Sequence, residues 1–264
     1  RGHRGVLMSV SVRVADVHAT VLLQDPLLRD VVERRYQGFL VNSPDAITIR
    51  MGGPPMDRTY AVTGEVVRNG GRLELKENPA LGWVEPARGE GELTPHPGMM
   101  GLDMLLRALV TLEALRRGGL VLHAASVELG GVAHVFMGVS GAGKTTLATK
   151  LRNEGARVLS DEMTVLHPTP SGWTVHGTPY RFGTAAPAPL GGLWTLRQGA
   201  EISVVMLDGQ STLRALVRNL SLPIRGDTEV RASMDAAARL SLCMRARELT
   251  SALADALSTV VEAA

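Results

Sequence analysis

Val132-Ala133-His134-Val135-Phe136-Met137-Gly138-Val139-Ser140-Gly141-Ala142-Gly143-Lys144-Thr145-Thr146 decides the fold. An apolar run of strand length enters a glycine-rich turn, and a helix-forming segment leaves it. Residues 138–145 fit G-x-x-x-x-G-K-[ST] in full. Glycines let successive backbone N–H groups turn inward around a phosphate, Lys144 neutralises the β and γ oxygens of a nucleoside triphosphate, and the Thr145 hydroxyl can ligate Mg²⁺. A glycine turn matching by coincidence would lack the strand before and the helix after. The nucleotide-binding set is therefore Gly138, Ser140, Gly141, Ala142, Gly143, Lys144, Thr145 and Thr146.

Upstream, Leu120 to Glu128 reads as one apolar strand, joined by Leu129-Gly130-Gly131 to Val132–Met137. So short a connection makes the two antiparallel neighbours. Before them, Leu102, Leu105, Leu106, Leu109, Leu112 and Leu115 recur at helical spacing, and Arg116-Arg117-Gly118 supplies a C-terminal stop. Downstream, Lys144 to Asn153 reads as a helix closed at Gly155. Ala156 to Ser160 then reads as a buried strand that delivers Asp161-Glu162 at its carboxyl end. Strand and turn patterns continue to about Leu207. From Gln210 on, the tail reads as mainly helical, with apolar stripes through Leu213, Leu216, Val217 and Leu220, then Leu249, Leu253, Leu257 and Val261.

The first hundred residues differ in texture. Short alternating runs such as Ser9-Val10-Ser11-Val12-Arg13-Val14 and Ala46-Ile47-Thr48-Ile49-Arg50 are divided by Gly, Pro and Asn clusters, with a helix expected at Leu27 to Arg35 after Pro26. Asn69-Gly70-Gly71 and Gly52-Gly53-Pro54-Pro55 mark turns or loops. Glu85 to Met99, rich in Pro and Gly, reads as a linker. The expected organisation is a small strand-rich α/β domain over 1–97 and a P-loop domain over 98–264, in the α/β class.

Composition narrows the function. Lys plus Arg number 28 against 26 Asp plus Glu, for a net charge of +2, and no basic block tracks a phosphate backbone, so no nucleic-acid partner is expected. No run of eighteen apolar residues exists, so no membrane span is expected. One cysteine, Cys243, excludes an intrachain disulfide framework and suits a reducing compartment, with the cytoplasm as the expected location. Its helical context reads as packing.

Asp161 lies seventeen residues beyond Lys144, one helix and one turn, so the next strand returns Asp161-Glu162 to the phosphate loop. One carboxylate beside Mg²⁺ can hold the metal, and one near the γ-phosphate can take a proton from an attacking hydroxyl. Metal ligands are thus expected at Thr145, Asp161 and Glu162. His123 sits in the strand expected to pair with the strand feeding the loop, which gives a role at the γ-phosphate to a residue type that alone would read as core. Arg181 and Arg225, both in loop-like segments, are candidates to stabilise the transferring oxygens. His176 beside Gly177 is a weaker one.

Leu122-His123-Ala124-Ala125-Ser126-Val127, then residues 138–145, then Val158-Leu159-Ser160-Asp161-Glu162 resemble the catalytic core of HPr kinase/phosphorylase and its bacterial HPr-kinase-like relatives. The resemblance covers about residues 120–166. It implies the HPr kinase/phosphoenolpyruvate carboxykinase type of P-loop kinase core. It also implies a phosphate-contacting role for His123, a general base at Asp161 and a second acid near the metal at Glu162. Glu162 stands where the family usually has a second aspartate. The glycine-rich signature that follows the acidic pair in true HPr kinases is missing, which points away from HPr as acceptor. Divergent relatives include kinases of lasso-peptide precursors, so the resemblance implies a peptide or protein serine as acceptor. A homo-oligomer, dimeric or hexameric, would fit it.

The expected activity is that of a kinase using ATP and Mg²⁺, with Asp161, His123, Lys144, Arg181 and Arg225 as the catalytic set. The alternatives are a non-kinase P-loop ATPase with Glu162 activating water, a small-metabolite kinase, and a catalytically silent nucleotide-binding regulator.

Overall fold

Alternating valines set the first sheet: Val10, Val12 and Val14 are buried on one strand, and Val17, Ala19, Val21 and Leu23 on the next. The computed structural model describes residues 6–42, 47–53, 65–76, 81–95, 99–224, 226–251 and 257–263. The chain forms two compact units, one of Arg1–Glu113 with Leu222–Glu229, the other of Ala114–Ser221 with Val230–Ala264. Both are α/β. No helix among the described residues is long and apolar enough to cross a membrane.

The smaller, N-terminal unit contains β1 (Met8–Val14), β2 (Val17–Leu23), α1 (Pro26–Arg35), β3 (Ile47–Met51), β4 (Val66–Asn69), β5 (Arg72–Leu75), β6 (Gly82–Glu85), β7 (Glu90–Leu93) and the start of α2 (Met100–Arg116). Its strands form one sheet in the order β1-β2-β3-β7-β6-β5-β4. Asp25 caps α1 by accepting from the Leu27 amide at 2.9 Å, and Pro26 opens the helix where its missing N–H costs nothing. Asp103, on the stripe opposite the leucines of α2, is nonetheless buried. It accepts from Tyr36 Oη at 2.6 Å and from Arg35 at 2.6 Å, so its charge is paired.

Two expectations change here. The segment expected to be a linker contains a hairpin: Pro86 and Gly89 shape its turn, Gly89 N–H donating to Glu85 O at 3.0 Å, and β7 follows. Gly91 lies inside β7 because a Cβ there would stand 2.6 Å from Trp83 O. The division between units falls within α2, not at residue 97, and residues 222–229 return to the first unit. Val66 N–H donates to Pro223 O at 3.0 Å, and Arg68 pairs with Glu229 at 2.7 Å.

The second unit contains β8 (Leu120–Leu122), β9 (Ala125–Leu129), β10 (Val132–Met137), α3 (Lys144–Asn153), β11 (Arg157–Ser160), β12 (Thr164–Thr169), β13 (Gly172–His176), β14 (Pro187–Gln198), β15 (Ser203–Met206), α4 (Gly209–Arg218), α5 (Asp227–Cys243) from Val230 on, β16 (Ala246–Ser251) and α6 (Leu257–Ala263). The sheet runs β11-β9-β10-β14-β13-β12-β8, with β16 beside β14 and β15 beside β16. β10 pairs antiparallel with β9 across the Gly130-Gly131 turn and parallel with β14. Both faces of β10 are covered. Val135 and Met137 join Leu216 of α4 and Leu240 of α5 in one core, whereas Phe136 joins Leu147 and Leu151 of α3, Trp194 and Leu257 in the other. That double burial explains its nearly unbroken apolar run.

The mainly helical tail is corrected in one stretch. Ala246–Ser251 is a strand, parallel to β14 and antiparallel to β15, and it carries Leu249 into the core. Its composition suits a helix, but two neighbouring strands supply the hydrogen bonds that set its conformation. Leu253 lies outside the described residues. Cys243, expected to be packed, is exposed at the last position of α5 beside Leu242, itself 86% exposed.

The β10–β14 pairing contains a buried imidazole. Trp194 Nε1 donates to His134 Nδ1 at 3.2 Å, and a Cβ on Gly192 would come within 2.8 Å of both nitrogens. Burial, aided by the Arg247 charge, lowers the His134 pKa from 6.5 to about 4. An unfolded chain therefore binds a proton between pH 6.5 and 4 that the folded chain refuses. This contribution is fully present above the unfolded value and is lost as pH falls, on the order of 3 kcal/mol in all. Urea midpoints measured at pH 7.5 and pH 4.5 should differ less in His134→Gln than in the parent; an equal difference would contradict the buried neutral state.

Candidate active site

The loop after β10 turns on two glycines with positive φ, Gly141 at 81° and Gly143 at 97°, values that L side chains resist. Gly143 is the N-cap residue of α3, and Lys144 and Thr145 occupy the first turn. Lys144 Nζ donates to Gly138 O at 2.6 Å and Val139 O at 3.2 Å, holding the ammonium at the mouth of the loop. Burial lowers its pKa, and the Asp161 charge partly offsets that.

Asp161 arrives from the end of β11 on a pinned turn. Ser160 Oγ accepts from Met163 N–H at 3.1 Å and pairs with Thr178 Oγ1 at 2.9 Å, while Thr178 Oγ1 donates to Met163 O at 2.7 Å. The segment from Gly177 to Gly183 folds against the same strand end: Thr178 N–H and Thr184 N–H donate to Leu159 O at 3.1 and 3.2 Å, and a Cβ on Gly177 or Gly183 would stand 2.8 or 2.4 Å from that oxygen. It carries Arg181 at a φ of 64°, strained for a non-glycine residue, a feature that concentrates at functional sites.

The three side chains meet. Thr145 Oγ1 donates to Asp161 Oδ2 at 3.1 Å and accepts from the Arg181 guanidinium at 3.0 Å, and Arg181 stands 3.5 Å from Asp161 Oδ2. The Asp161 side chain is fully enclosed, and its Oδ1 has no hydrogen-bond partner among the described residues. Burial raises the Asp161 pKa; the Thr145 bond and the Arg181 charge pull it down, Glu162 pushes it up and Lys144 lowers it. A buried carboxylate oxygen lacking a donor, beside a hydroxyl and a second carboxylate, is a hard oxygen donor set that fits a small divalent cation such as Mg²⁺. Thr145, Asp161 and Glu162 are the residues that could hold it.

A cleft of about 530 Å³ gathers Ser140, Gly141, Gly143, Lys144, Thr145, Thr146, Asp161, Glu162, Arg181 and His123. Ala142 does not line it; its amide donates to Val139 O at 3.1 Å within the loop. His123 is not on a strand beside β10. The expected strand breaks there, because β8 pairs with β12 whereas β9 pairs with β10 and β11, and the chain changes neighbours at an exposed His123. The break brings the imidazole to the cleft. Arg225 lies outside the described residues. His176 is not in the cleft: its ring meets that of His167 with centroids 4.6 Å apart.

Two residues escaped the sequence reading. Asn219, at the end of α4, accepts from the Gly138 amide through Oδ1 at 3.1 Å, while its backbone oxygen accepts from His123 N–H at 2.7 Å. It thus ties the loop and the histidine to one helix end. Gln198 Nε2 donates to Gly141 O at 3.2 Å. Neither sits in a local motif that would single it out.

Residues 98–212 match the family model of the SynChlorMet cassette protein ScmC. No curated protein matches. Among solved structures, the HPr(Ser) kinase/phosphatase from Coxiella burnetii is similar at 10% identity and a TM-score of 0.30, over 54% of this chain and 91% of that one.

Removing the Asn219 side chain leaves the Gly138 amide unpaired at the loop entrance. Asn219→Ala should weaken nucleotide affinity about fivefold, as expected for one net hydrogen bond of about 1 kcal/mol. Titration with a fluorescent ATP analogue measures it, and unchanged affinity would remove Asn219 from the site.

Proposed function

We propose that the chain is an ATP- and Mg²⁺-dependent kinase that phosphorylates a serine or threonine hydroxyl of a peptide or protein. The observation that carries this reading is the meeting of Thr145, Asp161 and Arg181 at the first turn of α3, beside Lys144, Glu162 and His123. A loop with Lys144 alone supports nucleotide binding. A buried acid and a guanidinium converging on it support transfer of the terminal phosphoryl group.

In this reading the loop amides and Lys144 hold the β- and γ-phosphates, and Arg181 and His123 contact the transferring oxygens. Bound Mg²⁺ would neutralise charge developing on the phosphates. Asp161 takes the acceptor's proton as the acceptor oxygen bonds to the γ-phosphorus. The bond from that phosphorus to the bridging oxygen breaks, and ADP leaves with the electron pair. The raised proton affinity of Asp161 suits a base better than an ordinary exposed carboxylate would.

The enclosure of Asp161 and its bond to Thr145 favour a second division of labour. There Asp161 holds the metal, and the exposed His123 takes the proton. Asp161→Asn separates them: kcat falling on the order of 100-fold or more at saturating Mg²⁺ marks the base, whereas a loss recovered by more Mg²⁺ marks the ligand.

The matched family is described as a cassette protein, which supports seeking the acceptor among products encoded beside this gene. The purified chain, given ATP, Mg²⁺ and such a peptide, should add one phosphate by mass spectrometry. Acceptor-independent ATP hydrolysis with no mass shift would sink the kinase reading.

With Asp161 as base, kcat/KM should rise with pH through an inflection above 3.8, the ordinary aspartate value, because burial raises the proton affinity. Extra Mg²⁺ should move that inflection down. An acid limb at or below the ordinary value would contradict the role.

A further inference from the structure

A second hollow, of about 620 Å³, opens on the other side of the phosphate loop and shares His123 and Ser140 with the first cleft. Gly138 and Val139, whose carbonyl oxygens accept from Lys144 Nζ, form its rim. Lys144, the cation that would neutralise the terminal phosphates, lines the first cleft and is bonded to the backbone of two residues that line the second. An acceptor entering here approaches the phosphate end of the nucleotide, while the cleft over Thr145, Thr146 and Glu162 takes the phosphates and metal.

The wall of this hollow is α4, which contributes Ser211, Arg214 and Arg218. Arg214 and Arg218 are four residues apart, so they project from one face of the helix. Both are exposed, and neither makes a salt bridge among the described residues. Two carboxylates stand nearby: Glu248 lines the hollow itself, and Asp208 is held below the usual carboxylate range by its bonds to Ser211 and in smaller part by the Arg214 charge. Glu248 pairs with Arg197 at 3.5 Å, and Asp208 caps α4 by accepting from the Ser211 amide at 2.6 Å. Placement in the last turn of α4 accounts for Arg218 through the helix dipole, but Arg214 stands a turn earlier. Two guanidiniums facing a hollow that ends at the transfer point are suited to carboxylates on the incoming chain.

We infer that this hollow is the acceptor subsite and that Arg214 and Arg218 select a peptide with acidic side chains beside its hydroxyl. The inference rests on the kinase reading and names the substrate class of that same site. Carboxylates held there fix the register of the peptide, so the neighbouring hydroxyl meets the γ-phosphate near His123.

The test uses two labelled peptides, one serine flanked by glutamates and its glutamine counterpart, titrated by fluorescence anisotropy with a non-hydrolysable ATP analogue and Mg²⁺ present. The acidic peptide should bind about tenfold tighter or more, and each of Arg214→Gln and Arg218→Gln should weaken it about fivefold. Nucleotide affinity, which also reports folding, should stay within about twofold in both variants. Equal binding of the two peptides, or variants that lose nucleotide instead of peptide, would overturn the inference. Phosphate transfer scored in parallel keeps the two ideas apart. Transfer without acidic preference refutes the subsite alone, and acidic preference without transfer leaves an acidic-peptide site but overturns both the kinase reading and the acceptor role that rests on it.

Discussion

The hydrogen bond from Thr145 Oγ1 to Asp161 Oδ2, 3.1 Å long, is the constraint on which the site depends. It joins the first turn of α3 to the end of β11, two points that the sheet separates by the whole of β9. Holding them together requires β10 to enter the loop at fixed depth and β11 to end at a fixed residue. The Ser160–Thr178 pair and the Gly177–Gly183 segment serve the second requirement and deliver Arg181 as a consequence. A carboxylate enclosed this way is costly to keep ionised, and the neighbouring hydroxyl, guanidinium and ammonium are what keep the cost tolerable.

β10 satisfies the first requirement by being buried on both faces. α3 and α6 pack on one side and α4 with α5 on the other, so the strand cannot shift without opening two cores. The packing also has a chemical role. α4 both covers the sheet through Leu216 and ends at Asn219, which braces the loop amide and the backbone of His123. Core and site share an element, so a disturbance of α4 packing is felt at the phosphate loop.

Much of this was legible in the residues, for local reasons. The loop and its flanks depend on glycine conformations and on a helix start, both short-range properties, and the 144–153 helix was readable to its ends. The hairpin at Gly130-Gly131 was readable because so short a connection leaves few geometries. The spacing from Lys144 to Asp161 pointed to proximity because one helix and one strand have fixed lengths. Misreadings came where distant neighbours decide. His123 looked like part of a strand, yet the chain changes partners there. Ala246–Ser251 looked helical until two strands flanked it. Pro86 and Gly91 looked like a linker but shape a hairpin whose fit depends on Trp83.

The sequence by itself determined a glycine-rich loop of the G-x-x-x-x-G-K-[ST] pattern between a strand and a helix, an acidic pair at the end of the following strand, and a strand-rich unit before them, because each is written in contiguous residues. Tertiary structure alone decided which side chains share the cleft. Arg181, one arginine among many, reaches Thr145 because the 177–183 segment folds against β11. Asn219, eighty-one positions from Gly138, meets it because α4 packs under β10. Those contacts arise from long-range packing, which no local pattern of residue types encodes.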